Sequence, residues 1–285
     1  MQYTYLTPEL IDSFIDNALA EDIGDGDHTS LASIPAGQTG KAQLILKDEG
    51  ILAGIEIAKR IFERVDSSLV LQVNMKDGDT FTHGQIALTV SGSAHSILAA
   101  ERLVLNTMQR MSGIASYTHS LQSLIAHTNA KVLDTRKTTP NFRMLEKWAV
   151  KIGGGVNHRY GLFDMILLKD NHVDYSGGIK QALQNSKAYI RKTNKDLKIE
   201  IETRSLKEVK EALEEGGAFR IMLDNMSPAL MKEAVQLINH TVETEASGGI
   251  NEHTIVAVAE SGVDYISVGS LSHSYKSKDM SLKAF

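Results

Sequence analysis

From about residue 130 the sequence repeats one pattern: a short apolar run that ends in a charged or small polar group, then a helical stretch, then the next run. The runs are Val132 to Thr135, Met165 to Lys169, Ile199 to Glu202, Ile221 to Asp224, Val242 to Ala246 and Tyr265 to Gly269. Most are nearly continuous in apolar residues, as strands covered on both faces are. Helical stretches at Leu206 to Glu215, Pro228 to Ile238 and Glu252 to Ser261 separate the later ones. This alternation predicts a parallel sheet, either a barrel or a doubly wound sheet. The strand ends decide for the barrel. Arg136 and Lys137, Lys169 and Asp170, Glu202, Asp224 and Asn225, Ser247-Gly248-Gly249, and Gly269-Ser270 each close a different strand, so polar groups would ring one mouth. A doubly wound sheet would gather them at one switch point, and no Gly-x-Gly-x-x-Gly follows a strand.

The first hundred residues read differently. Leu10, Ile11, Phe14, Ile15, Ala18 and Leu19 form a helical stripe over Pro8 to Leu19. Strand-like runs at Ala42 to Leu46, Leu69 to Met75 and Ile86 to Ser91 are punctuated by glycines, with a helix over Ile55 to Val65. A long helix is predicted from Ser96 to about Met111. A chain of 285 residues suits one large α/β domain with a smaller companion.

Composition narrows the function. A net charge of −5 argues against a nucleic-acid surface, which needs a large excess of Lys and Arg. The absence of cysteine removes disulfides, thiolate metal sites and Cys nucleophiles, and fits a cytoplasmic location. Met1 to Ala20 carries Glu9, Asp12 and Asp16 without a basic start and unbroken apolar run, so no signal peptide is expected, and no apolar segment is long enough to span a membrane. Gly-x-Ser-x-Gly is absent as well, which disfavours covalent catalysis.

The chemistry-bearing residues are local clusters. Arg136, Lys137, His158, Arg159 and Lys169 mix planar forks with mobile point charges, a set suited to several carboxylate or phosphate groups on one small ligand. Glu202 and Asp224 end neighbouring strands, where they could hold Mg²⁺ or accept hydrogen bonds from ribose hydroxyls, or serve as helix caps and lysine partners. Ser-Gly-Gly-Ile occurs twice, at Ser176 and at Ser247. Only the second copy directly follows a barrel strand, so Ser247, Gly248 and Gly249 with Gly269 and Ser270 are the expected phosphate site, and the first copy is read as a turn that starts a helix. His158 and His273 are the histidines best placed for a site, while His28 and His172, in polar turns, could be structural or line the mouth.

With these residues in view, the chain resembles quinolinate phosphoribosyltransferase along nearly its whole length. The resemblance rests on Glu21-Asp22-Ile23-Gly24 with Gly26-Asp27-His28-Thr29, on Ala100-Glu101-Arg102 through Asn106 to Ser112-Gly113-Ile114-Ala115, on Asp134-Thr135-Arg136-Lys137-Thr138-Thr139-Pro140, on Gly153-Gly154 with His158-Arg159, and on Lys169-Asp170-Asn171-His172, Leu223-Asp224-Asn225 and Glu245-Ala246-Ser247-Gly248-Gly249-Ile250. It implies an α/β fold: an N-terminal α/β sandwich domain over residues 1–112, joined by the tail 271–285, and an open, TIM-like β/α barrel over residues 113–270. It further implies a homodimer, or a higher oligomer built from it, in which Arg102 is supplied across the interface. Arg136, His158, Arg159 and Lys169 would hold the quinolinate carboxylates, with Lys137 near the reacting groups. Glu202 and Asp224 would bind the ribose hydroxyls and Mg²⁺, directly or through water. Ser247, Gly248, Gly249, Gly269 and Ser270 would take the phosphate of phosphoribosyl pyrophosphate (PRPP), and His273 matches a less fixed position. Lys137, Lys169, Glu202 and Asp224 are the expected catalytic group. Two departures stand near the site: Asn141 where the family usually has Gly, and Asn157 where a small residue often precedes His-Arg. The rival readings are a molybdenum-associated paralogue of the same fold and a non-catalytic anion-binding protein.

Overall fold

A computed structural model describes residues 5–285, which pack into two compact units. The first comprises the chain to His119 together with Thr138–Gly154 and Ser274–Phe285. It begins with α1 (Pro8–Ile23), where the Thr7 side chain accepts from Leu10 N–H and Pro8 fills the first helical position, a place where its missing N–H costs nothing. Next come α2 (His28–Ser33), capped by Asp27, and an antiparallel sheet built from β1 (Thr39–Leu46), β3 (Val70–Val73), β5 (Ile86–Ser93) and β12 (Met280–Ala284), in the order β12-β1-β5-β3. Ala42, Leu44 and Leu46 alternate along β1 and are all buried, so one face of the sheet carries the core. A small ladder pairs β2 (Gly50–Ile51) with β4 (Thr80–Phe81). The expected helix over Ile55 to Val65 is α3 (Ile55–Val65), burying Ile55, Ile57, Ala58, Ile61 and Phe62.

Helix α4 (Ala94–Leu124) corrects the sequence reading. It runs 31 residues, well past the expected end near Met111, and its last turn belongs to the second unit. Gly113 sits inside it, where a Cβ would collide with the Lys276 carbonyl. The glycine, about 1 kcal/mol worse than Ala in a helix, is what permits this approach to the C-terminal tail. Thr138–Gly154, which the sequence places with the barrel stretch, packs with the first unit. Its helix α5 (Arg143–Ile152) carries the fully buried Glu146, which accepts from Arg110 on α4 and from Thr139 N–H. The Arg110 guanidinium also lies 5.1 Å from the Phe142 ring and 4.9 Å from that of Tyr275. Asn141 adopts φ 63°, a conformation glycine takes freely and Asn tolerates better than most residues.

The second unit comprises Ser120–Lys137 and Gly155–His273. Its six parallel strands are β6 (Lys131–Leu133), β7 (Ile166–Leu168), β8 (Ile199–Thr203), β9 (Arg220–Asp224), β10 (Glu243–Ser247) and β11 (Tyr265–Ser267), in the order β6-β11-β10-β9-β8-β7. The two edge strands do not pair with each other among the described residues, and Val156 bridges Leu133 beyond β6, so the barrel is open. All five residues of β8 are buried, as expected of a strand covered on both faces.

Helices α6 (Asp170–Ser176), α7 (Ile179–Thr193), α8 (Leu206–Glu215), α9 (Pro228–Ile238), α10 (Ile255–Ala259) and α11 (Ser270–His273) connect and follow the strands. The bounds of α8 and α9 coincide with those read from sequence because both ends are marked. Ser205 and Ser227 cap the starts, and Gly216 and Asn239, with positive φ, close the ends. The expected Glu252–Ser261 helix contracts to α10, because Asn251 binds Thr254 and His253 in a turn of its own. His28 and His172 lie in α2 and α6 rather than in turns.

Candidate active site

Adjacent strands in the barrel are in register as Glu200, Arg220 and Glu243, and one step along as Glu202, Met222 and Glu245. Side chains at these positions share a face with Asp224 and Ser247, one further step towards the strand ends. Above them opens a cavity of about 330 Å³. Arg136, Lys137, His158, Arg159, Lys169 and Ser247 line it, together with Thr135, Leu167, Met222, Glu245 and Ser267. The whole basic cluster expected from sequence therefore converges on one hollow.

Arg159, Lys169, Lys137 and His158 are each anchored by contacts within the protein. Arg159 donates through one terminal nitrogen to the Met165 carbonyl at 3.1 Å, while its Nε is buried without a protein partner among the described residues. Burial first, then the charge of Arg136, pushes the Arg159 guanidinium below its ordinary pKa. Lys169 Nζ lies 3.3 Å from Glu202, whose other oxygen accepts from Asp170 N–H at 3.4 Å. Lys137 is fixed through its backbone: its N–H donates to Thr135 and its carbonyl accepts from Ser272 Oγ at 2.8 Å. The buried Asp134 accepts from the N–H of His158 at 2.8 Å and from the Asn157 side chain at 2.6 Å. Asn157 thus helps anchor the turn that delivers His158 and Arg159.

The remaining expected residues stand at neighbouring strand ends without lining this cavity. Asp224 accepts from the Asn225 side chain at 2.6 Å. Gly248, at φ 104°, has Asn225 where a Cβ would be, so only glycine fits beside that strand end. Gly249 also has positive φ. A Cβ on Gly269 would lie 3.0 Å from Lys137 Cδ and 3.1 Å from His273 Nε2, which brings three expected residues together. Ser270 and His273 bound α11. Arg102 belongs to the first unit, with 62% of its side chain exposed and Glu101 at 3.8 Å.

The sequence reading missed the floor of the cavity. Glu200 and Glu245 are fully buried beside Arg220, whose NH1 lies 3.6 Å and 3.1 Å from them and whose other nitrogens hold Glu243. Alternation was the available signal: Glu200 and Glu202, Glu243 and Glu245, and Arg220 and Asp224 recur at even spacing along strands otherwise apolar. Burial pushes Glu200 up to about 7 against the pull of Arg220, and pushes Glu245 up to about 8 with Glu200 adding to it. Because the folded chain keeps protons that the unfolded chain releases, this stabilisation is complete below the ordinary carboxylate pKa and is lost as pH rises towards 7 and 8. The urea midpoint of the wild type is therefore expected to fall between about pH 5 and pH 8, and more gently in Glu245→Gln. An equal fall in both would show that Glu245 ionises without cost.

Residues 27–112 match the family described as quinolinate phosphoribosyl transferase, N-terminal domain, and residues 114–283 match its C-terminal domain. The chain belongs to the quinolinate phosphoribosyltransferase family. Among relatives in that family, the chloroplastic nicotinate-nucleotide pyrophosphorylase [carboxylating] of Arabidopsis thaliana is 47% identical over 281 residues, 93% of this chain and 80% of that one. Quinolinate phosphoribosyltransferase [decarboxylating] 1b of Nicotiana tabacum is 46% identical over the same shares. The crystal structure of NadC from Streptococcus pyogenes superposes with a TM-score of 0.92 at 40% identity, over 99% of this chain and 98% of that one. Among the described residues no helix is long and apolar enough to cross a membrane.

Proposed function

We infer that this chain transfers the phosphoribosyl group of PRPP to quinolinate with decarboxylation, giving nicotinate mononucleotide, pyrophosphate and CO₂, a step of NAD biosynthesis. The observation that carries this reading is the convergence of Arg136, Lys137, Arg159 and Lys169 on one small cavity, with a buried Arg159 Nε left for a ligand atom. A planar pyridine with adjacent carboxylates supplies the anionic oxygens such forks recognise. The two names borne by the relatives describe one reaction, since carboxylating pyrophosphorolysis is decarboxylating transfer run backwards.

In this reading Arg136, Arg159 and Lys169 hold the carboxylates and so aim the pyridine nitrogen at the ribose carbon from which pyrophosphate departs. Positive charge grows on that ribose as the leaving group separates, so fixed positions matter more than covalency. Once the nitrogen is alkylated, the bond from ring carbon 2 to its carboxylate breaks, its electron pair stays on the carbon beside the cationic nitrogen, and a proton replaces CO₂. The pocket excludes water during this step. Ser247, Gly248, Gly249, Gly269 and Ser270 take the 5′-phosphate, with His273 beside Gly269.

Glu202 and Asp224 fit Mg²⁺ as well as ribose hydroxyls. Both are carboxylates at adjacent strand ends, Asp224 with one oxygen held by Asn225 and Glu202 with its two oxygens at 3.3 Å from Lys169 and 3.4 Å from the Asp170 N–H, and such a sparse oxygen set is what a protein uses to anchor Mg²⁺ alongside substrate phosphates. When bound, the ion would offset the charge of departing pyrophosphate.

The exposed Arg102 completes a second subunit's site in a homodimer. Arg102→Ala chains mixed with Lys137→Ala chains should recover about a quarter of wild-type activity, because random pairing makes half the dimers hybrids with one intact site each. Failure despite proven subunit exchange would remove the shared site. A cysteine-free chain fits the cytoplasm, whereas the Arabidopsis relative is named chloroplastic. The direct test is purified protein with quinolinate, PRPP and Mg²⁺, assayed for stoichiometric nicotinate mononucleotide and CO₂, with nicotinate as control substrate. Product from quinolinate alone supports the reading; a folded protein without product overturns it.

A further inference from the structure

Two of the places where the chain passes from the second unit to the first lie directly after site residues. One follows Lys137, with Thr138 next, and the other follows His273, with Ser274 next. Lys137 and His273 also crowd the same spot, since a Cβ on Gly269 would meet Lys137 Cδ at 3.0 Å and His273 Nε2 at 3.1 Å. Two residues beyond each crossing, at Thr139 and at Tyr275, the chain reaches one and the same guanidinium, that of Arg110.

Arg110, on α4, is held in its plane and by two rings. Its Nε donates to Glu146 at 3.0 Å, and one terminal nitrogen donates both to Glu146 and to the Thr139 hydroxyl. The other Glu146 oxygen accepts from Thr139 N–H at 3.2 Å. The rings of Phe142 and Tyr275 lie 5.1 Å and 4.9 Å from the guanidinium. Gln109 takes the tail further along: its carbonyl accepts from Lys278 N–H and its side-chain amide donates to the Met280 carbonyl, each at 3.1 Å. Glu146 is fully buried, and Arg110 balances its charge. None of these side chains lines the cavity, so an effect on turnover has to pass along the chain to the residues that do.

We propose that Arg110 is a positioning residue for the reaction: by tying Thr139 and Tyr275 to one point it sets where the Lys137 and His273 segments leave the site, and with that the reach of Lys137 towards the reacting groups. The task needs the planar fork of arginine, which bonds in its plane to a carboxylate and a hydroxyl while its faces remain open to aromatic rings. A lysine would keep a charge for Glu146 and lose the fork. This deepens the quinolinate reading and rests on it for its kinetic test.

Arg110→Lys is the informative variant, because Arg110→Ala strands a buried carboxylate and endangers folding. Hydrogen exchange followed by mass spectrometry, which needs no turnover, should show residues 138–142 and 274–278 exchanging about 10-fold faster in the variant, with β8, β9 and β10 as in the wild type. In steady state kcat should fall at least about 10-fold, on the way to the ~100-fold cost of a 1 Å misplacement. KM for quinolinate should stay as it was, since Arg159 and Lys169 stand on other segments. In a Lys137→Ala background the same substitution should lower kcat no further, because the residue through which it acts is gone. Equal fractional losses in the two backgrounds, wild-type kcat in Arg110→Lys, unchanged exchange in the two segments, or faster exchange spread evenly over both units would each overturn the proposal. A wild type without turnover would sink the functional reading by itself, while the exchange result would still decide whether Arg110 holds the two segments.

Discussion

Replacing Arg136 or Lys137 with alanine is expected to lower turnover at least about 100-fold, the scale for losing a preorganised charge-stabilising group. Both side chains line the cavity, and Lys137 is held by two backbone hydrogen bonds and by the close approach of Gly269. Such fixed placement makes the charge effective, since it needs no reorganisation when the anion forms. Neither residue is a large part of the core, so the thermal midpoint should move little while kcat falls. Single-turnover and steady-state rates with quinolinate and PRPP check this, and near-normal rates in both variants would take these residues out of the mechanism.

The largest stability effect is expected at Arg220. Its guanidinium serves Glu243, Glu245 and Glu200 together and stacks 4.2 Å from the Tyr265 ring. Arg220→Ala leaves buried carboxyls without their cation, a loss of about 3–5 kcal/mol for a broken buried pair. Part of it should be recovered at lower pH, where Glu200 and Glu245 take up protons and need no partner. Urea unfolding at two pH values reads both effects. A loss under about 1 kcal/mol, or one that grows on acidification, would show that the cluster is not held by Arg220.

Much of this was legible in the sequence because the strands announce themselves. Apolar runs with polar ends placed β8 and β9 nearly to the residue, and serine and proline marked the starts of α8 and α9. Arg136, Lys137 and Lys169 were legible for the same reason, since each stands just beyond a strand end, whereas Arg159 lies in the stretch between α5 and β7. What escaped depends on contacts between distant residues. The continuation of α4 through Gly113 is decided by the tail at Lys276, and the placement of Thr138–Gly154 by Arg110 meeting Glu146. Glu200, Arg220 and Glu245 were hidden in strands read for their apolar content, and only the register of three strands shows that they face one another.

The first unit is assembled from three separated stretches of chain, and its sheet takes its last strand, β12, from residues 280–284. During synthesis β1 therefore waits with an unpaired edge until nearly every other residue has left the ribosome, while the whole barrel emerges in between. An unfinished edge of this kind invites pairing with other nascent chains. Shortening the C-terminus by a dozen residues would make that passing hazard permanent, so aggregation rather than loss of a catalytic group should be the first symptom.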